Sequence, residues 1–83
     1  MTRSLHSEPY SRLLAILIEE RRAKGLTQQV VADRLGRPQS YIAKIEGGER
    51  RLDLVEFVAL ARALETEPAT LFTQILAAVE TAD

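Results

Sequence analysis

The 83-residue sequence contains no cysteine, no tryptophan and a single histidine, His6. Without cysteine there is no disulfide framework, no thiolate nucleophile and no zinc site built on sulfur. One histidine leaves neither a histidine-built metal centre nor a Ser-His-Asp triad to assemble. Long apolar runs are missing as well. The longest, Leu13 to Ile18, falls far short of the roughly 20 residues that span a bilayer, and the segment before it lacks the layout of a signal peptide. The chain therefore reads as soluble, intracellular and cytoplasmic, with no membrane partner.

What remains is globular in composition, 46% apolar and 28% charged, and sized for one small domain. That length does not hold a catalytic scaffold together with a regulatory domain. The net charge of −1 conceals a division along the chain. Residues 1–52 carry ten Lys and Arg against six acids, whereas residues 53–83 carry one base, Arg62, against six acids. Such an asymmetry points to one anion-facing half, the alternative being chance segregation on solvated helix faces.

The three prolines and four glycines sit where helices would start or stop. Ser7 before Pro9 marks a start, and apolar spacing predicts a helix over about Glu8 to Lys24, ended by Gly25, with Tyr10, Leu13, Leu14, Leu17 and Ile18 inward. Thr27 caps a second helix that reaches about Leu35 and is closed by Gly36. Pro38 is expected in the first turn of a third, which Ile42 and Ile45 anchor and Gly47-Gly48 stops. Asp53 with Glu56 spells a capping box for a fourth, over about Leu54 to Leu64. Pro68 opens a fifth, in which Leu71, Phe72, Ile75, Leu76 and Val79 recur at helical spacing. No segment alternates with period two. The expectation is a compact all-α fold of five helices with short loops. One domain occupies residues 8–83 behind a flexible arm over residues 1–7, and Thr81 to Asp83 fray.

The informative stretch is a helix-turn-helix over residues 28–47. Ala32 is small where the two helices cross, and Gly36 supplies the backbone freedom of the turn. Ile42 and Ile45 pin the third helix to the core, so Gln39, Ser40, Tyr41, Ala43 and Lys44 project outward. Amide, hydroxyl and ammonium groups near the start of an exposed helix suit the DNA major groove. Gln pairs with adenine N6 and N7, and Lys with guanine O6 and N7.

Here the sequence resembles the phage-repressor and Cro-like, XRE-type helix-turn-helix family. The matching stretches are Gly25-Leu26-Thr27-Gln28, Val31-Ala32-Asp33-Arg34-Leu35-Gly36, Gln39-Ser40-Tyr41-Ile42-Ala43-Lys44-Ile45-Glu46-Gly47-Gly48-Glu49-Arg50 and Leu60-Ala61-Arg62-Ala63-Leu64, spread over about Leu13 to Phe72. The resemblance implies a repressor-like fold whose third helix reads double-stranded DNA. Gln39, Ser40 and Lys44 then fall at base-contacting positions, with Arg37 and Tyr41 flanking them. Gln28 falls at a phosphate-bonding position, which also suits the free N–H groups of a helix N-terminus. Arg50 and Arg51 read as backbone clamps, the alternative being solvated loop charge. Arg21 and Glu46 match a structural ion pair between the first helix and the end of the third. Arg22, Lys24 and Arg34 read as solvated, the alternative for Arg22 being a weak phosphate contact.

Three positions depart from the family pattern. Arg37 stands where many members carry the N-cap of the third helix, Val30 replaces a capping-box acid, and Glu65 stands where glycine often closes the fourth helix. A non-glycine residue in a left-handed conformation costs about 1 kcal/mol.

The fifth helix carries more apolar residues than a four-helix core requires. Leu71, Phe72 and Ile75 are expected to close the core, and Leu76 and Val79, with Ile75, to meet their twofold mates in a homodimer. Small controller proteins of restriction-modification systems are similar in length, and that resemblance implies dimerisation through the last helix. Two reading helices on a symmetric dimer match an inverted repeat with half-sites about 34 Å apart. The arm with Arg3 and His6 is expected to be disordered, the alternative being a phosphate or minor-groove contact. The expected function is a transcription regulator without cofactor or metal, and not an enzyme, since no nucleophile–base pair is visible. The competing reading is an antitoxin or interaction module that uses the same fold to hold a protein partner such as a toxin.

Overall fold

In the computed structural model, which describes residues 8–81, the chain forms α1 (Glu8–Ala23), α2 (Gln28–Arg34), α3 (Gln39–Glu46), α4 (Leu54–Ala63) and α5 (Pro68–Glu80). Among the described residues there is no strand. The expected arm over residues 1–7, with Arg3 and His6, lies outside the described residues.

The helix starts follow from their first residues. The Thr27 hydroxyl accepts from the Val30 amide at 3.1 Å and caps α2. At α4 the Asp53 carboxylate accepts from the Glu56 amide at 2.7 Å, and the Glu56 carboxylate accepts from the Asp53 amide at 3.0 Å. Those reciprocal bonds are the capping box read from the sequence. Pro68 takes the first helical position of α5, where its missing N–H costs nothing. Pro38 differs from expectation. It precedes α3 as the N-cap, with extended backbone and no side-chain cap, and its carbonyl accepts from the Tyr41 amide at 2.9 Å.

Four helix ends share one solution. After α2, the Gly36 amide bonds the Asp33 carbonyl at 3.1 Å and the Arg37 amide bonds the Ala32 carbonyl at 2.9 Å. This pair of bonds requires a left-handed residue, and Gly36 adopts φ 66° without steric cost. The same two bonds follow α1, α3 and α4. The left-handed residue is glycine at the first two of these ends, but after α4 it is Glu65, at φ 60°.

These caps hold short helices whose stability comes from packing. α1 lies across α3 and α5, α2 packs on α3 and α4, and α4 meets α5. Leu17, Val31, Ile42, Ile45, Leu64 and Leu71 fill the centre. Ala32 is fully buried at the α2–α3 crossing. On α5, Leu71 and Ile75 lie one turn apart on the inner stripe and are buried. Phe72 and Leu76 form the adjacent stripe, about 100° further round. Phe72, expected in the core, is consequently 47% exposed, and its ring meets Phe57 edge-on at 6.5 Å.

Candidate nucleic-acid interface

The α2–α3 pair is fixed from beneath by Val31, Ala32, Ile42 and Ile45. This leaves Gln39, Ser40 and Lys44 exposed on the outer side of α3, with Tyr41 and Ala43 half-buried beside them. Gln39, Ser40 and Lys44 are therefore presented together.

Gln39 is the outer end of a hydrogen-bond chain. Its Nε2 donates to Gln28 Oε1 at 2.6 Å, and Gln28 Nε2 donates to Glu46 Oε1 at 2.8 Å. The Glu46 carboxylate is held bidentately by Arg21, through Nε at 2.7 Å and Nη2 at 3.0 Å. Both of these side chains are only 10% exposed. Arg21 also donates to the Leu26 carbonyl at 2.8 Å, so its donors are well used. Arg21 and Glu46 thus stand as the interhelical pair expected of them, and the pair extends by way of Gln28 to the surface of α3.

A second cluster surrounds Tyr41. The guanidinium groups of Arg37 and Arg50 each lie 4.8 Å from the centre of its ring, a cation–π arrangement. Arg50 grips Glu56 through Nη1 at 3.0 Å and Nη2 at 2.7 Å. That grip and the Asp53 amide pull the Glu56 carboxyl down from the ordinary 4.5 to about 2, and the same contact raises the pKa of Arg50. Arg50, expected as a phosphate clamp, is thereby engaged in joining the loop after α3 to the start of α4. Arg51 lies over the Tyr10 ring at 4.2 Å. Arg37 stays exposed at the edge of α3.

Two cations read as solvated are exposed but have fixed partners as well. Lys24 Nζ donates to the carbonyls of Leu64 at 2.9 Å and Glu65 at 2.8 Å, and to Thr66 Oγ1 at 2.8 Å. Arg34 Nη1 donates to the Ala63 carbonyl at 2.7 Å and lies 2.9 Å from the Glu65 carboxylate. Together they close the C-terminal end of α4, where positive charge suits the helix dipole. Their partners lie far along the chain, so no local spacing betrays these roles. Arg22 is exposed, as is Val30.

The expected dimer residues divide. Ile75 is 4% exposed and belongs to the core, and Val79 packs partly against it. Leu76 remains 42% exposed. Among the described residues no three His, Cys, Asp or Glu side chains gather as a metal site requires. No helix among them is long and apolar enough to cross a membrane.

Two short helices joined by a glycine turn, the second pinned inward and polar outward, define a helix-turn-helix domain. The sequence pattern of a helix-turn-helix domain family matches residues 12–72. No curated protein matches the chain. An XRE-family like protein from Pseudomonas syringae pv. tomato str. DC3000 is 46% identical, over 83% of this chain and 84% of that one, with a TM-score of 0.79. The restriction-modification controller protein C.AhdI from Aeromonas hydrophila is 40% identical over 76% of this chain and 96% of its own, with a TM-score of 0.68. The controller C.Esp1396I, solved as a tetramer with its natural 35 base-pair operator, shares the fold at 23% identity and a TM-score of 0.80, over 89% of this chain and 97% of that one. The chain belongs to the XRE-type family of helix-turn-helix transcription regulators.

Proposed function

We propose that the protein binds an inverted-repeat operator as a homodimer and regulates transcription from it, α3 of each copy entering the major groove. The observation that carries this reading is the set Gln39, Ser40 and Lys44, exposed together on a helix whose other side is buried. Their donors and acceptors match base edges, and Arg37 and Tyr41 flank them. Gln28 and Arg51 serve the sugar–phosphate backbone, while Arg50 acts chiefly by holding Tyr41 and the α4 start in place.

Support for the second copy comes from the apolar residues that α4 and α5 leave exposed. Leu54 is 75% and Val55 81% exposed, and Val58, Phe72 and Leu76 add further apolar area. Leu54 and Phe72 also border a groove of about 120 Å³, lined besides by Leu13, Leu52 and Phe57 among others. A monomer gains nothing from so much apolar surface in one region. The partner-facing set thus becomes Leu76 with Phe72 and the outer side of α4, Ile75 serving the core. C.Esp1396I assembles as a tetramer on its operator, which fits this arrangement. Dimerisation is the step through which protein dose is sensed.

The test is selection of bound sequences from a random duplex library at about 150 mM salt, with sedimentation of the same protein. The expected result is an enriched inverted repeat with half-sites about one turn apart, weakened by Gln39→Ala and Lys44→Ala. Leu76→Glu should dissociate the dimer and lower operator affinity in step. A folded protein that enriches no sequence, or a monomer with full operator affinity, overturns the proposal.

A further inference from the structure

We infer that the buried Glu46 carboxylate sets which base Gln39 reads, acting through Gln28 as a positioning residue; this rests on the DNA-reading role proposed above for α3. The reasoning concerns the direction of the hydrogen bonds. A carboxylate gripped by a guanidinium offers acceptors only. Gln28 must therefore turn its amide nitrogen toward Glu46, at 2.8 Å, and its Oε1 faces outward. That oxygen in turn requires a donor, and Gln39 supplies Nε2 at 2.6 Å. One polarity runs from Arg21 to the protein surface.

At the outer end this leaves Gln39 with Oε1 and one Nε2 hydrogen uncommitted. That pair is complementary to adenine, Oε1 accepting from N6 and Nε2 donating to N7. With the amide turned the other way, Oε1 would be spent on Gln28 and both hydrogens would face the groove. Such a pair suits guanine, which shows two acceptors, O6 and N7. A free glutamine samples both orientations at small cost. Here the choice is made by a carboxylate that is only 10% exposed and gripped at two atoms. Arg21 and Glu46 accordingly act in specificity as well as in stability.

The test compares binding of the wild-type protein and two variants to its selected operator, with adenine or guanine at the base that Gln39→Ala desensitises. Wild type is expected to prefer adenine by about tenfold, within the range of one bidentate contact. Glu46→Gln can either donate to or accept from Gln28, so the preference should fall to about twofold. Gln28→Arg presents donors only, which turns Gln39 Oε1 inward and shifts the preference to guanine. This second variant leaves the Arg21–Glu46 pair in place and carries the test if Glu46→Gln does not fold. A folded Glu46→Gln or Gln28→Arg protein with undiminished adenine preference overturns the inference while leaving the DNA-reading role intact. Failure of folded wild type to select any duplex overturns both.

Discussion

At its N-terminal end α4 is closed by residues three apart, Asp53 and Glu56, each accepting from the other's backbone amide. At its C-terminal end the carbonyls of Ala63, Leu64 and Glu65 are met by Arg34 and Lys24, from 29 to 41 residues away. The first closure is available as soon as this stretch turns helical. The second exists only when α1 and α2 are already in place, so it makes the end of α4 part of the tertiary assembly. It also accounts for Glu65, which holds a left-handed backbone that glycine serves elsewhere in the molecule. The carbonyls around that turn are fixed by two cations, which helps to offset a strain of about 1 kcal/mol.

Substitutions can break or sharpen this contrast between distant and local ties. The largest effect is expected at the most buried distant tie. Arg21→Ala leaves Glu46 unpaired and nearly buried, and should cost about 3 kcal/mol or more. In a domain of this size that lowers the melting temperature by roughly 12 °C or more, measurable by thermal circular dichroism. An unchanged melting temperature would remove Arg21 from the structural set.

Next comes Lys24→Met, which keeps the apolar stem and deletes three donated bonds to Leu64, Glu65 and Thr66. The expected loss is about 1–2 kcal/mol, moderated by solvent at the ammonium, and hydrogen exchange should quicken at the end of α4 before its start. Asp53→Ala should cost about 1 kcal/mol, a usual cap value, with exchange quickening at the start of α4 instead. A greater loss from Asp53→Ala than from Lys24→Met would show that the local closure carries the helix and would undo the contrast.

The smallest effect is expected in acid. The Arg50 grip and the Asp53 amide depress the Glu56 carboxyl from 4.5 to about 2. Its contribution is therefore complete above about pH 4.5 and is lost as the pH falls toward 2. Glu56→Gln should flatten that part of the stability profile. An identical acid profile in the variant would place the acid sensitivity on other carboxylates.

Legibility in the sequence followed the range of each interaction. Gly25, Gly36, Thr27, Asp53, Glu56 and Pro68 act within a few residues of themselves, and each was readable from its neighbours. Glu65 was readable as an anomaly, because a non-glycine residue stood at a helix end. The outward set Gln39, Ser40 and Lys44 followed from the inward spacing of Ile42 and Ile45. Arg21 and Glu46 came from resemblance to the XRE-type family rather than from spacing. The pairing of Arg50 with Glu56 was not legible, because Glu56 sits in the next helix at a separation that carries no periodic signal. Phe72 and Ile75 were both assigned to the core, and only the rotation of α5 separated them.

The sequence by itself thus determined where five helices begin and end, and which side of α3 is polar. Those features depend on φ preferences, missing N–H groups and side chains that reach one turn. Only the tertiary structure decided which cations are occupied, which stripe of α5 is buried, and how Gln39 is linked through Gln28 and Glu46 to Arg21. Each of these depends on groups brought together by helix packing, and a lysine or glutamine looks the same in sequence whether it meets water, a carbonyl or another amide.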